Sequence, residues 1–288
     1  MIDRWIRFVT SSFILLALAL PGKASAQQQE PLKLCVHPYL AASELVKRFT
    51  PLGEYLSRKI GKSVAVEVGN TYETHIHRIG NGIVDIAFMG PASYVQLTER
   101  YGKRPILAAF QTKEGKFFHG RIMARKDSSI TSLSQLKGKR FVFGDPNSTM
   151  SHVVPRYLLL KSGIRLKDLA EVKFLANHDN IAMGILAGTF DAGAVKEEVF
   201  LQYESRGLRS LATTPPIPDH LFVVRAGFPA DTTRALQDAM LHLADTAEGR
   251  SILTGIRNDV TALVPAEDAE YDSLRTIMRE LKRAGVEF

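Results

Sequence analysis

Phe143-Gly144-Asp145-Pro146-Asn147-Ser148-Thr149-Met150-Ser151-His152 holds a strand end, a turn and a helix start within one short stretch. Gly, Asp, Pro and Asn in succession are turn chemistry, and the hydroxyls of Ser148, Thr149 and Ser151 follow where the helix begins. The first N–H groups of a helix have no partner inside it, and the positive end of the dipole lies there. Such a place favours an anion. Ser148 or Thr149 in this position also caps the helix, and capping and ligand binding are compatible.

On either side of this stretch, short β-rich runs alternate with amphipathic stretches of helical length, the pattern of an α/β fold. Before it, the spacing predicts strands over 32–36, 64–68, 85–89 and 106–110, with helices over 41–60, 72–79 and 92–101 between them. A longer strand over 117–125 leads away, and the alternation restarts. It continues as strand 140–143, helix 150–162, strand 172–175, helix 180–187, strand 191–195, helix 197–205 and strand 209–212. The last sixty residues read as mainly helical, over 231–253 and 267–284.

Gly82-Ile83-Val84-Asp85 and Gly188-Thr189-Phe190-Asp191 share one pattern, each following a helix and opening a strand. The same unit therefore occurs once in each half. Pro215, Pro216 and Pro218 make a rigid extended connector, and 221–224 reads as a strand re-entering the first half. Crossings near 118–125 and 214–224 predict an α/β protein of two lobes joined by a two-segment hinge, with a ligand cleft between them. Residues 27–120 and 221–288 form lobe 1 in this reading, and 121–220 form lobe 2.

Composition excludes several classes. The 288 residues are 45% hydrophobic and 23% charged with a formal net charge of +7, as in an ordinary globular protein. The single cysteine, Cys35, rules out a disulfide framework and reads as a buried strand residue between Leu34 and Val36. Arg4 and Arg7, the apolar run 13–20 and Ala24-Ser25-Ala26 read as a secretory signal peptide cleaved before Gln27, which predicts a periplasmic protein. Without that segment the excess charge is about +5, too scattered along the chain for a nucleic-acid surface. The chain lacks a G-x-S-x-G elbow, a P-loop, H-E-x-x-H and any CxxC pair. His75 and His77 are two residues apart and do not share a helix face. No catalytic residue, metal or cofactor is therefore expected; a periplasmic hydrolase acting on oxyanions is the alternative from another class.

The stretch from Gly144 to Ser151, followed by Asn177-His178-Asp179-Asn180 and then the Gly-x-Phe-Asp strand, resembles the periplasmic phosphonate/phosphite/phosphate-binding proteins of ABC transporters. Phe49-Thr50-Pro51-Leu52, Tyr55-Leu56, Val84-Asp85-Ile86-Ala87, Gly90-Pro91-Ala92-Ser93-Tyr94 and Pro216-Ile217-Pro218-Asp219 add to the likeness, in order along the chain. The resemblance implies a type II periplasmic-binding fold whose lobes close on a small oxyanion. Carried over by position, Ser148 and Thr149 would hold the phosphoryl-type oxygens, with Ser151 as a further hydroxyl. His178 would donate another hydrogen bond, and Tyr72, Ser93 and Tyr94 would contribute from the first lobe. Glu198, or Asp219 as a second candidate, would meet the amine of an aminoalkyl phosphonate. One departure is Met150, where members often carry serine: a thioether accepts hydrogen bonds only weakly. Ser151 would lie about 100° further round a regular helix. The partners implied are the oxyanion and an inner-membrane ABC permease, or alternatively a sensor histidine kinase, with the chain a monomer and no nucleic acid involved.

Overall fold

Parallel strands cannot be joined by tight turns and need crossover helices, which this chain supplies in regular alternation. The computed structural model describes residues 30–287, so the expected signal peptide lies outside the described residues. The first part runs β1 (Leu32–Val36), α1 (Ala42–Ile60), β2 (Val64–Val68), α2 (Tyr72–Gly80), β3 (Ile86–Met89), α3 (Pro91–Tyr101), β4 (Ile106–Thr112) and β5 (Phe117–Phe118). The second runs β6 (Gly120–Arg125), β7 (Arg140–Phe143), α4 (Val154–Lys161), β8 (Glu171–Phe174), α5 (His178–Leu186), β9 (Ala192–Lys196), α6 (Glu197–Glu204), β10 (Leu208–Thr213) and β11 (Ile217–Pro218). The chain ends with β12 (Leu221–Val224), α7 (Ala230–Leu241), α8 (Ala247–Ile256), β13 (Val260–Val264) and α9 (Asp272–Arg283).

Two mixed sheets result, one per lobe. The first has the order β13-β4-β12-β3-β1-β2 and the second β10-β6-β9-β7-β8. The lobes are joined where the chain crosses twice, and there β5 and β11 pair antiparallel, Phe118 with Ile217 and Phe117 with Pro218. Apolar clusters line the faces of each sheet. Met150, Val153 and Val154, which follow the second sheet's β7, pack into the cluster that holds Ile76, Met89 and Leu97 from around the first sheet.

The internal echo has a physical basis. Gly82 and Gly188 both adopt positive φ, +72° and +75°, which glycine reaches without steric cost. Three residues on, each aspartate accepts the backbone N–H at the start of the neighbouring parallel strand. Asp85 Oδ2 takes that of Lys33 at 3.0 Å, and Asp191 Oδ2 that of Arg140 at 2.8 Å.

Four local features differ from the sequence expectation. The long strand over 117–125 is broken at His119, because its two ends belong to different sheets. The proline connector is not wholly unpaired, since a two-residue ribbon tolerates the missing donor of Pro218. The helical tail contains β13, an antiparallel edge strand on β4, and its first helix is interrupted at His242 between α7 and α8. Finally, the helix that starts the second lobe's anion turn opens with a wide turn, Thr149–Val153, in which Val153 N–H donates to the Ser148 carbonyl at 3.0 Å. That i→i+5 bond is π-helical, a geometry that occurs frequently at functional sites.

Candidate functional site

The stretch after β7 is held by its own polar groups. Asn147 N–H donates to Asp145 Oδ1 at 2.8 Å, and Ser148 N–H to the Asp145 carbonyl at 2.9 Å. Gly144 N–H donates to the Ser151 carbonyl at 2.9 Å, and a Cβ on Gly144 would stand only 2.0 Å from Ser151 Oγ. This close approach admits glycine alone. Ser151 Oγ–H donates to Ser148 Oγ at 2.7 Å, which leaves the Ser148 hydroxyl proton available to an acceptor elsewhere.

The two lobes meet over this turn. Ala92 N–H, at the start of α3, donates to Thr149 Oγ1 at 2.9 Å, and Ser93 Oγ–H to the Asn147 carbonyl at 3.4 Å. Between the lobes lies a cavity of about 10 Å³, the least that a single water requires. His37, Tyr39 and Tyr72 border it from the first lobe, Ser148, Thr149, His178 and Lys196 from the second, and His220 from the crossing between β11 and β12.

Hydrogen bonds assign the ring protons. His178 Nδ1 accepts the Lys196 backbone N–H at 3.1 Å, so its neutral ring carries the proton on Nε2, a donor. Burial pushes the pKa of His178 down to about 3 and keeps the ring neutral. His220 Nδ1 donates to Asp219 Oδ1 at 2.8 Å, which leaves Nε2 as the second nitrogen. His37 is buried and neither ring nitrogen has a protein partner. Burial lowers its pKa well below the ordinary value, with His220 adding to the effect. A neutral imidazole left this way holds one unmet donor and one unmet acceptor, each costing about 1–3 kcal/mol until something in the cavity satisfies it.

Lys196 supplies the charge. Its ammonium lies 4.1 Å from the centre of the Tyr39 ring and pairs with Glu198. Burial would raise the pKa of Glu198, but Lys196, with Arg257 and Arg48, outweighs it and keeps the carboxyl below its ordinary range.

The structure thus brings together Tyr72, Ser148, Thr149 and His178 of the sequence-derived candidates, and Met150 stands beside them. The Met150 sulfur accepts the Thr214 hydroxyl at 3.4 Å. Ser151 lies outside the cavity lining, behind Ser148, to which its hydroxyl donates as residues three apart at a helix start can. Ser93 and Tyr94 lie outside the cavity lining; Gly90, at the start of the same helix, is the residue that borders it. Tyr94 donates its hydroxyl to Asp268 at 2.8 Å and packs edge-on against Tyr271. Glu198 and Asp219 also lie outside the lining of the small cavity, and both are paired with cations. Glu198 pairs with Lys196 and, at 3.4 Å, with Arg48; Asp219 is held by two bonds from Arg257 and one from the His220 ring. Cys35 is buried as expected, 3.3 Å from His75 Nδ1, and burial pushes its thiol up to about 12.

His37, Tyr39, Lys196 and His220 escaped the sequence reading. His37 and Lys196 stand at the C-terminal ends of parallel strands β1 and β9, where open α/β sheets place their ligands. That position was the available signal.

Two mixed α/β sheets joined by two crossings, with a polar cavity between the lobes at a helix start, define a type II periplasmic solute-binding protein. Residues 34–271 match the family of periplasmic substrate-binding proteins of phosphonate ABC transporters, and the chain belongs to that family. It is 24% identical over 257 residues to a probable ABC transporter phosphite-binding protein of Prochlorococcus marinus, covering 83% of this chain and 86% of that one. It is also 24% identical over 255 residues to the phosphonates-binding periplasmic protein of Escherichia coli, covering 85% and 75%. A solved structure from Prochlorococcus marinus in complex with methylphosphonate superposes with a TM-score of 0.80 at 24% identity, over 87% of this chain and 98% of that one. This last likeness concerns the fold.

Proposed function

We propose that this chain is exported to the periplasm by a cleaved leader, captures a small phosphorus oxyanion of the phosphonate, phosphite or phosphate class, and delivers it to an inner-membrane ABC permease. Lobe 1 comprises 27–120 and 221–288, lobe 2 comprises 121–220, and they close about the β5–β11 ribbon. Capture makes and breaks no covalent bond. Ser148 Oγ–H and His178 Nε2–H donate to the ligand oxygens from the second lobe. His37 and Tyr72 meet the ligand from the first, and Lys196 balances its charge. The observation that carries this reading is the buried, unpartnered His37 ring facing the Ser148–Thr149 helix start across one small cavity.

Calorimetric titration with phosphite, methylphosphonate and phosphate tests it. Ser148→Ala with Thr149→Ala removes two hydroxyls and is expected to weaken binding by more than about 1 kcal/mol, roughly fivefold or more. Unchanged affinity in that variant would overturn the assignment of this turn as the ligand site.

A further inference from the structure

We infer that the cavity rejects ligands carrying an ammonium group and that Lys196 is the residue imposing this choice; the inference rests on the oxyanion reading above and narrows it. Among the described residues, the cavity lining contains no carboxylate, and the ionised side chain that borders it is Lys196. The two nearest acidic groups have no charge to spare. Glu198 is paired with Lys196 and Arg48, and Asp219 with Arg257 through both carboxylate oxygens. Asp219 also accepts the His220 ring proton at 2.8 Å and does not line the cavity.

Lys196 also stands at the way out. It and Phe118 border both the small cavity and a larger one of about 430 Å³, whose lining includes Phe117 and Leu201 and, farther out, the carboxylates of Glu114, Glu197, Glu198 and Asp259. A substituent on the bound oxyanion that grows toward this space passes the Lys196 ammonium, whose side chain is 5% exposed. A methyl group there meets the Phe118 ring and the lysine stem. An ammonium there meets the like charge of Lys196 at the junction, and of the carboxylates beyond it Glu197, Glu198 and Asp259 are already paired with Arg121, Lys196 and Arg257; a charge brought in without a partner of its own is disfavoured. Selectivity of this kind comes from a repulsive element built against the wrong ligand.

The test compares n-propylphosphonate with 2-aminoethylphosphonate, which differ at the tail by a methyl against an ammonium, with methylphosphonate as the compact reference, by calorimetry on the purified protein. The amine is expected to bind at least about tenfold more weakly than the propyl compound. Lys196→Met frees Glu198 and is expected to narrow or reverse that ratio, whereas Lys196→Arg retains it. The wild-type ratio decides the matter even if Lys196→Met does not fold. Equal or tighter binding of the amine overturns the inference while leaving the oxyanion reading intact. So does methylphosphonate binding with both longer ligands failing, since size alone then excludes the amine. Failure of all three while phosphite or phosphate binds overturns the inference alone; failure of phosphite and phosphate as well removes the oxyanion reading and the inference with it.

Discussion

Replacing Arg257 by methionine is expected to destabilise the protein far more than the loss of a surface ion pair. The Asp219 side chain has no exposed area and Arg257 only 5%. Two guanidinium nitrogens reach the two carboxylate oxygens, at 3.0 and 2.5 Å. Without them, Asp219 keeps the His220 backbone N–H at 2.7 Å and ring N–H at 2.8 Å, which do not neutralise its charge. Stranding a buried charge in this way costs about 3–5 kcal/mol. In a chain of this size each kcal/mol moves the melting temperature by roughly 2–4 °C, so a fall of about 6–20 °C is expected in thermal unfolding followed by circular dichroism at pH 7. Adding Asp219→Asn removes the stranded charge while leaving an oxygen to accept from His220, and the double variant is expected to regain more than half of the loss. A single variant melting within about 3 °C of the wild type would refute the reasoning, as would a double variant no better than the single one. The pH dependence has a definite sign. Burial raises the pKa of Asp219, but Arg257 and then His220 outweigh it and hold the carboxyl well below its usual range. The pair's stabilisation is therefore complete above the unfolded value near pH 4 and is lost as pH falls toward the folded one.

Two further outcomes are expected. Burial pushes His75, His152 and His178 down to about 3, 4 and 3, below the unfolded value of about 6.5. The unfolded chain thus binds more protons between those limits, and the melting temperature in phosphate-free buffer should fall steadily from pH 7 to pH 5; a flat profile would contradict neutral burial of these rings. Gly144→Ala places a Cβ 2.0 Å from Ser151 Oγ and 2.6 Å from its Cβ. Overpacking of this kind costs about 1–3 kcal/mol, and because Ser151 orients Ser148, oxyanion affinity by calorimetry should fall with stability. Wild-type affinity in that variant would separate the Ser151–Ser148 contact from binding.

Much of the architecture was legible because it is written locally. The runs 32–36, 64–68, 140–143 and 221–224 are strands with the expected bounds, since alternation and β-branched content act over a few residues. The Gly-x-x-Asp echo was legible for the same reason: one turn and one cap lie within four residues of each other. Val260–Val264 was missed because an edge strand gains its partner, β4, only from a distant part of the chain.

The site divides along the same line. Ser148, Thr149 and His178 could be chosen from sequence because a helix start advertises itself by turn and capping residues. The fate of Glu198 and Asp219 could not, because an acidic side chain looks the same in sequence whether it faces a ligand or a cation; Lys196 is close to Glu198 in sequence, but Arg48 and Arg257 lie 150 and 38 residues from their partners. His37, Lys196 and His220 come from separate strand ends and share no spacing. The sequence by itself determined the alternation of elements, the paired half-units and the helix start that favours an anion, all set by backbone period and nearest neighbours. Only the tertiary structure decided which strand ends converge on the cavity and which charges are already matched, because desolvation and pairing depend on what the folded chain brings within a few ångströms.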